Sequence, residues 1–173
     1  WFTEGTDMKI DTDFKRLPTS ADHNCFACSP ANAAGLQMTF FASDDAVYSR
    51  IAIPAHLCGW NGVAHGGVVS TILDETMSWA AMVQLKRFGF TQKMTVEFIK
   101  TVAVGALMEA ESRVLEVRDN REAVIEGVLT DGDGNVCATA QGTFRIFTPA
   151  VARRLKIVDD KMLAWFHGLF KTR

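Results

Sequence analysis

The stretch Gly62–Leu85 (GVAHGGVVSTILDETMSWAAMVQL) constrains the fold of this chain more than any other. It opens with a His and two glycines and continues as a long apolar run, in which only Asp74 and Glu75 can carry a charge after Gly67. A helix that is apolar on every side is either buried or spans a membrane. Two adjacent acids and a length below about 20 residues favour a buried helix. A carboxylate in such a helix is costly unless it is paired, hydrogen-bonded or used, so these acids indicate a functional site.

The composition limits the classes of function. With 173 residues and 48% hydrophobic content, the chain can form one domain of about 100–150 residues with extensions. The net charge of −2 gives no indication of a nucleic-acid partner. Without a signal peptide or transmembrane run, we expect a cytoplasmic protein with no stable membrane insertion. Because the sequence begins at Trp1, removal of a leader stays an open alternative.

The four cysteines are too sparse for a disulfide scaffold. Cys25-x-x-Cys28 has the spacing of half a zinc site, but no second pair follows at the matching spacing. The nearest other candidates are His56 and Cys58, and Cys137 stands alone. We therefore expect reduced thiols, which suit the cytoplasm, and neither a metal ion nor another cofactor.

Alternating apolar and polar residues predict strands on both sides of the helix. A predicted hairpin precedes it, with a turn at Asp44-Asp45, and four long strands follow it. The predicted order β-β-α-β-β-β-β describes an α+β fold in which an antiparallel sheet covers a hydrophobic helix. The predicted strands are Leu36–Ala42, Val47–Ile53, Met94–Val102, Ala106–Val117, Glu122–Thr130 and Val136–Phe147.

The chain is expected to contain one domain with an extension at each end. Residues 1–22 are predicted to form an N-terminal extension, either of low order or with a short docking helix, and residues 23–148 form the domain. Residues 149–173 are predicted to form a C-terminal helical extension, because Ala152–Phe170 has the pattern of an amphipathic helix or helix pair. Its Asp159-Asp160 pair favours docking on the domain over contact with a membrane.

Three stretches carry a resemblance to a known family: HNCFACSPANAAGL, GWNGVAHGGVVSTILDE and the four-strand run after the helix. Over roughly residues 23–147, the chain resembles the hot-dog fold thioesterases, specifically the phenylacetate-pathway-like acyl-CoA thioesterases. The specific motif is HGG with an acid nine residues after the His. The first stretch departs from the family, which has Cys-Gly and Asn-Pro where this chain has Cys28-Ser29 and Asn32-Ala33. The resemblance implies a long central helix wrapped by a curved sheet, and a homodimer or dimer of dimers with active sites at the interface.

The resemblance also implies hydrolysis of an acyl-CoA thioester to a free acid and CoA. By the family's pattern, the amide of Gly66 or Gly67 donates to the oxyanion and Asp74 acts as general base or nucleophile. A helix N-terminus suits an oxyanion, and glycine lets a carbonyl approach the backbone. Asp74 lies seven residues after Gly67, about 10 Å along the helix, so a second subunit is needed to bring both groups to one carbonyl. Glu75 points about 100° away and is expected to be structural.

Further site residues are expected on both sides of the helix. His65 is expected to shape the loop by hydrogen bonding rather than to act as the base. Thr91 falls where relatives carry a hydroxyl near the catalytic acid. Asn61 would orient a water molecule or the loop, although its spacing from His65 differs from that in some relatives, and His56 would line the entrance.

Arg121 and Met77 complete the predicted substrate-binding residues. Arg121 would bind the CoA phosphates, although an ordinary solvated charge is an equal explanation for it and for the other candidates. Met77 would line an acyl tunnel, although core packing is the default explanation for an apolar helix residue. The other basic candidates are Lys100, Arg118, Arg153 and Arg154.

Two other functions are possible on the same fold. A non-catalytic acyl-CoA-binding module would retain the ligand without turnover, and Asp74 would then no longer catalyse a reaction. Hydroxyacyl dehydration is disfavoured, because it normally uses a His acid/base pattern that this chain lacks.

Overall fold

The computed structural model describes residues 14–170. The part of the predicted N-terminal extension before Phe14, and the last three residues of the chain, lie outside the described residues. In the described part, no helix is both long enough and apolar enough to cross a membrane. The strands are β1 Lys15–Arg16, β2 Thr39–Ala42, β3 Val47–Ala52, β4 Phe88–Phe98, β5 Leu107–Arg118, β6 Glu122–Thr130 and β7 Val136–Phe147. The helices are a short 3-10 helix Ala55–Leu57, then α1 Gly66–Leu85, α2 Pro149–Arg154 and α3 Asp160–Gly168.

The strands form one antiparallel sheet in the order β1-β2-β3-β5-β6-β7-β4. After α1, the chain enters β4 at the far edge of the sheet, and the meander β5-β6-β7 then fills the space between β3 and β4. α1 lies against β4, β5, β6 and β7. The structure therefore confirms the predicted α+β arrangement of one central helix covered by an antiparallel sheet.

α1 is buried along most of its length because its residues are apolar on every side. Ile72 and Leu73 are fully buried, and such side chains each contribute about 1.5–3 kcal/mol when removed from water. Trp79 is also buried and stacks on Phe40 of β2, with ring centroids 4.4 Å apart. The helix ends at Lys86, which has the left-handed conformation with φ of 53°. Contacts on several sides thus explain the continuous apolar run.

β4 begins at Phe88, six residues earlier than the predicted start at Met94. Gly89 lies within this strand, three residues after the C-cap of α1 at Lys86. A Cβ atom at Gly89 would lie 2.9 Å from the Cβ of Ala81. The glycine therefore allows the first part of β4 to pass close to α1.

The C-terminal segment forms a helix pair that docks on the domain. Thr148 and Asp159 cap α2 and α3, and the Asp159 carboxylate accepts from the Met162 N–H at 2.7 Å. Trp165 of α3 meets Trp79 edge-on, with ring centroids 5.7 Å apart. The acidic pair therefore begins a helix whose apolar side covers α1, in agreement with the predicted docking.

Candidate active site

His65 fixes the N-terminus of α1. As the residue before the helix, it accepts the Gly67 N–H with its Nδ1 at 2.9 Å. Its carbonyl oxygen accepts from Val68 and Val69 at 2.9 and 3.2 Å. Among residues 14–170, no hydrogen bond uses the Gly66 N–H. The N–H of Gly67 already has an acceptor in His65. Of the two expected oxyanion donors, Gly66 is therefore the one whose N–H can reach a substrate oxygen.

An apolar groove of about 270 Å³ opens beside Gly66. The ring of Phe98 forms one side of it, and a Cβ at Gly66 would lie 3.5 Å from the Phe98 Cζ. The Ala64 N–H donates to the Val102 carbonyl at 2.8 Å and holds the segment after β4 against the start of α1. The sequence did not predict Phe98 in this position, because no local pattern shows that residues 63–64 meet residues 102–103.

Thr91 and Asp74 are in direct contact. The Thr91 Oγ1 donates to the Asp74 Oδ1 at 2.5 Å, joining the middle of α1 to β4. Asp74 is half-buried and Thr91 is exposed, at a point where the β4–β7 register shifts. The structure thus brings together the acid and the hydroxyl that the resemblance pointed to.

Asp74 and Gly66 do not meet within one chain. They are eight residues apart on the same continuous helix, which corresponds to about 12 Å along its axis. The Asp74 carboxylate and the Gly66 N–H therefore lie at two separate places on the chain.

His56 and Asn61 lie near the start of α1, and both are exposed. The His65 N–H donates to the Leu57 carbonyl at 3.1 Å, so the 3-10 helix that carries His56 adjoins the helix cap. No side-chain hydrogen bond of His56 or Asn61 is found in the described part of the chain. Their roles at the site stay predictions.

Met77 belongs to the core. It is 0% exposed, and a Cβ at Gly127 on β6 would lie 3.4 Å from its Cγ. This burial favours core packing for Met77, because its side chain fills the space between α1 and the sheet, and a role in substrate binding stays a prediction. An apolar helix pattern alone could not separate a core-facing methionine from one that lines a tunnel.

Arg121 lies in the β5–β6 turn, at a groove of about 470 Å³ that it shares with Arg118 and Arg145. Arg145 on β7 pairs in register with Phe90, the residue before Thr91, and with Glu122. The sequence did not connect Arg145 with Arg121, because the two residues lie on different elements. Asp119 and Glu122 line the same groove, and Arg118 pairs with Glu116 at 2.8 Å, so the three arginines leave only a small excess of positive charge there.

Two further basic candidates, Lys100 and Arg153, face carboxylates, as Arg118 does. Lys100 lies 3.8 Å from an Asp131 oxygen, and Arg153 lies 2.8 Å from an Asp160 oxygen. These exposed pairs contribute little to stability, but they lower the positive charge that either side chain offers to a phosphate.

Glu75 points away from the Asp74 contact. Its Oε1 accepts the Trp79 Nε1–H at 3.2 Å, and burial raises the pKa of its carboxyl to about 7. The Cys28 thiol, which donates to this carboxylate, opposes that rise in pKa. The structure thus separates the two adjacent acids, with Asp74 at β4 and Glu75 beside the cysteines.

Comparison with known proteins identifies the class. The thioesterase superfamily model matches residues 61–138, which include α1, the Asp74–Thr91 contact, strands β4 to β6 and the start of β7. These residues belong to the thioesterase superfamily.

Individual relatives agree with this assignment. A protein of Saccharolobus solfataricus, named provisionally as an esterase, is 32% identical over 87 residues, which are 50% of this chain and 57% of the relative. The match thus covers little more than half of that relative's length.

Solved structures of low identity share the fold. A hypothetical thioesterase of Streptococcus pneumoniae, solved with coenzyme A, aligns with a TM-score of 0.55 at 18% identity, covering 61% of this chain and 80% of that one. The E. coli protein of the phenylacetic acid degradation operon aligns with a TM-score of 0.59 at 14% identity, covering 64% and 83%. The predicted resemblance to the hot-dog thioesterases, and the predicted fold, are confirmed.

Proposed function

We propose that this protein hydrolyses an acyl-CoA thioester to a free acid and CoA. The observation that carries the proposal is the hydrogen bond from Thr91 to Asp74, which places an oriented carboxylate on the central helix of a thioesterase superfamily domain. The coenzyme A bound to the S. pneumoniae protein supports CoA as the carrier.

The contacts of Asp74 suit a base or nucleophile. Thr91 occupies Oδ1, so Oδ2 is the oxygen that would take a proton from water or attack the thioester carbonyl. As the carbon becomes tetrahedral, negative charge develops on the carbonyl oxygen, where the Gly66 N–H and the positive end of the helix dipole would stabilise it. The C–S bond then breaks, and the CoA sulfur leaves as a thiolate that takes up a proton. If water attacked, this step yields the free acid. If Asp74 attacked, water must next hydrolyse the anhydride between the acyl group and Asp74, which releases the free acid and restores the carboxylate.

Two copies of the chain would complete the site. The 12 Å between Gly66 and Asp74 exceeds the size of a thioester group, so one copy cannot use both. Within the described residues, β4 pairs with β7 along one side, and its other side is a sheet edge of 11 residues. A long free edge is a template for another strand. We propose that β4 of a second copy joins this edge, so that Gly66 of one copy faces Asp74 of the other.

The two grooves would hold the two ends of the substrate. The apolar groove at Phe98 would take the acyl chain next to Gly66. The arginine groove would bind phosphates of CoA through Arg118, Arg121 and Arg145. In this groove, Arg145 pairs with Phe90, the residue before Thr91, and its side chain lies on the outer face of the sheet.

The test is release of free CoA thiol from short, medium, long and aryl acyl-CoA substrates. We expect turnover of at least one member. If no member is hydrolysed while acyl-CoA still stabilises the protein against unfolding, the proposal fails and the non-catalytic binding module replaces it.

Thr91→Val is expected to lower kcat by about tenfold with little change in KM. The substitution keeps the shape of the side chain and removes one hydrogen bond to a charged group, so Asp74 loses its orientation but not its carboxylate. Steady-state kinetics on the best substrate measure the effect. Thr91→Ser should restore kcat, and Thr95→Val on the same strand is the matched control. Equal kcat for Thr91→Val and wild type would remove Thr91 from the mechanism.

Gly66→Ala is expected to lower kcat/KM by about tenfold to a hundredfold without loss of stability. The added methyl group would make ordinary contact with the Phe98 ring, but it would stand beside the N–H that the carbonyl must approach. Gly168→Ala at the end of α3 is the matched control, because a Cβ there meets no atom within 4 Å. Full activity of Gly66→Ala would show that the substrate does not approach this backbone position.

A further inference from the structure

A second cluster of reactive side chains lies apart from the Asp74–Thr91 contact. Cys25 and Cys28 belong to the Cys loop, defined here as His23–Leu36, and Glu75 projects towards them from α1. One potential ligand atom from each of these three residues lies within 4.8 Å of the other two. We propose that Cys25, Cys28 and Glu75 bind one Zn²⁺ ion, which joins the Cys loop to the central helix.

The Cys loop already presents both sulfur atoms on one side. The Cys28 N–H donates to the Cys25 Sγ at 3.5 Å, and the Ser29 N–H donates to the Cys25 carbonyl at 3.2 Å. The Ser29 hydroxyl closes the turn on the His23 carbonyl at 2.6 Å. Backbone bonds from Leu36 to Phe26 and from Met38 to Ala27, both 2.9 Å, anchor the loop. These hydrogen bonds hold the two thiols in place before any ion binds.

The electrostatics of the cluster favour a cation. None of the ion pairs found in residues 14–170 includes Glu75, whose polar contacts are Trp79 and the cysteine pair. A buried carboxylate without a positive partner is costly. A divalent cation would supply this positive partner, and the two thiols would lose their protons as the ion binds.

The donor set selects zinc among common ions. Two sulfurs and one carboxylate oxygen suit Zn²⁺, which accepts both kinds of ligand, whereas Mg²⁺ and Ca²⁺ require oxygen and Cu⁺ prefers sulfur alone. With tetrahedral geometry and Zn–S bonds of about 2.3 Å, two sulfur ligands stand about 3.8 Å apart. The observed spread of up to 4.8 Å requires only a small contraction. Three protein ligands leave the fourth position to a water molecule.

A Cys25–Cys28 disulfide is the competing use of the same thiols. Oxidation would consume both sulfurs but would leave Glu75 buried without a cation. A bound metal ion explains why Glu75 lies beside the two cysteines, whereas a disulfide does not. The structure therefore favours the metal site. This inference does not rest on thioester hydrolysis, because Glu75 and Asp74 point about 100° apart around α1.

The experiment is a titration of the reduced, chelator-treated protein with Co²⁺, followed by displacement with Zn²⁺. We expect one Co²⁺ per chain and a sulfur-to-cobalt charge-transfer band, which Cys25→Ser and Cys28→Ser each diminish. Glu75→Gln should keep the charge-transfer band but weaken Co²⁺ binding by at least about tenfold. Loss of a residue that only hydrogen-bonds to a metal ligand already lowers metal affinity by about that factor. Cys58→Ser, at an exposed cysteine outside the cluster, is the matched control and should bind like wild type. Zn²⁺ should raise the Tm of wild type but not that of Cys28→Ser.

Circular dichroism establishes that each variant is folded before it is compared. Absence of stoichiometric Co²⁺ binding, or an equal band in Cys25→Ser and Cys58→Ser, would overturn the proposal. Unchanged affinity in Glu75→Gln would overturn the three-ligand site. If the reduced protein binds no metal, and peptide mapping after air oxidation finds a Cys25–Cys28 disulfide, the two cysteines are a redox pair instead.

Discussion

Replacing Asp74 by Asn is expected to lower turnover of the best acyl-CoA substrate by about 10³-fold with the fold intact. The Asn side chain has nearly the same shape and can still accept the Thr91 hydroxyl through its oxygen. It cannot take a proton from water or attack a carbonyl as a carboxylate does. Loss of a general base typically costs 10²- to 10⁴-fold, so about 10³-fold is the central expectation.

Release of CoA thiol by wild type and Asp74→Asn, at saturating substrate, measures this effect. Asp133→Asn is the matched control, because Asp133 is an exposed residue in the β6–β7 turn. Far-ultraviolet circular dichroism and the unfolding midpoint establish that the fold is unchanged. Activity of Asp74→Asn within a few-fold of wild type would mean that this carboxylate is not the base or nucleophile.

The strands that the sequence predicted most accurately are β6 and β7, whose observed bounds equal the predicted ones. Both are inner strands, and polar turns bound them. In β7, buried and less buried residues alternate regularly, so its sequence indicates which face of the strand is buried. The start of β4 was predicted six residues late. Its exposed edge carries Thr91, Gln92 and Lys93 in succession, and such a run gives no alternation to recognise.

The sequence offered candidate site residues where the signal was local. The HGG motif and Asp74 lie in one continuous stretch, and Thr91 followed from the resemblance. Contacts between distant parts of the chain cannot be recognised from a local pattern. Glu75 and Cys28 are an example, because 46 residues separate them in the sequence. The sequence therefore favoured free thiols, having found no second cysteine pair to complete a metal site. In the proposed zinc site, the third ligand is an acid on another element.

Trp79→Ala is expected to lower the free energy of unfolding by about 3–5 kcal/mol, which is the usual cost of truncating a buried Trp. Trp79 is 2% exposed and joins three parts of the molecule. Its ring stacks on Phe40 and meets Trp165 edge-on, while its Nε1–H donates to Glu75. The substitution would leave a cavity between β2, α1 and α3, and it would also remove a donor from a buried carboxylate.

Chemical denaturation followed by circular dichroism measures this loss. Trp60→Ala is the matched control, because Trp60 is 85% exposed and its replacement should change the unfolding free energy by less than about 0.5 kcal/mol. Trp79→Phe should recover part of the loss, since a second aromatic ring can still stack on Phe40. Because Trp79 is the contact between α1 and α3, its truncation should also expose the C-terminal helices to proteolysis before the rest of the domain. Equal stability of Trp79→Ala and Trp60→Ala would mean that α3 does not dock on α1 in solution.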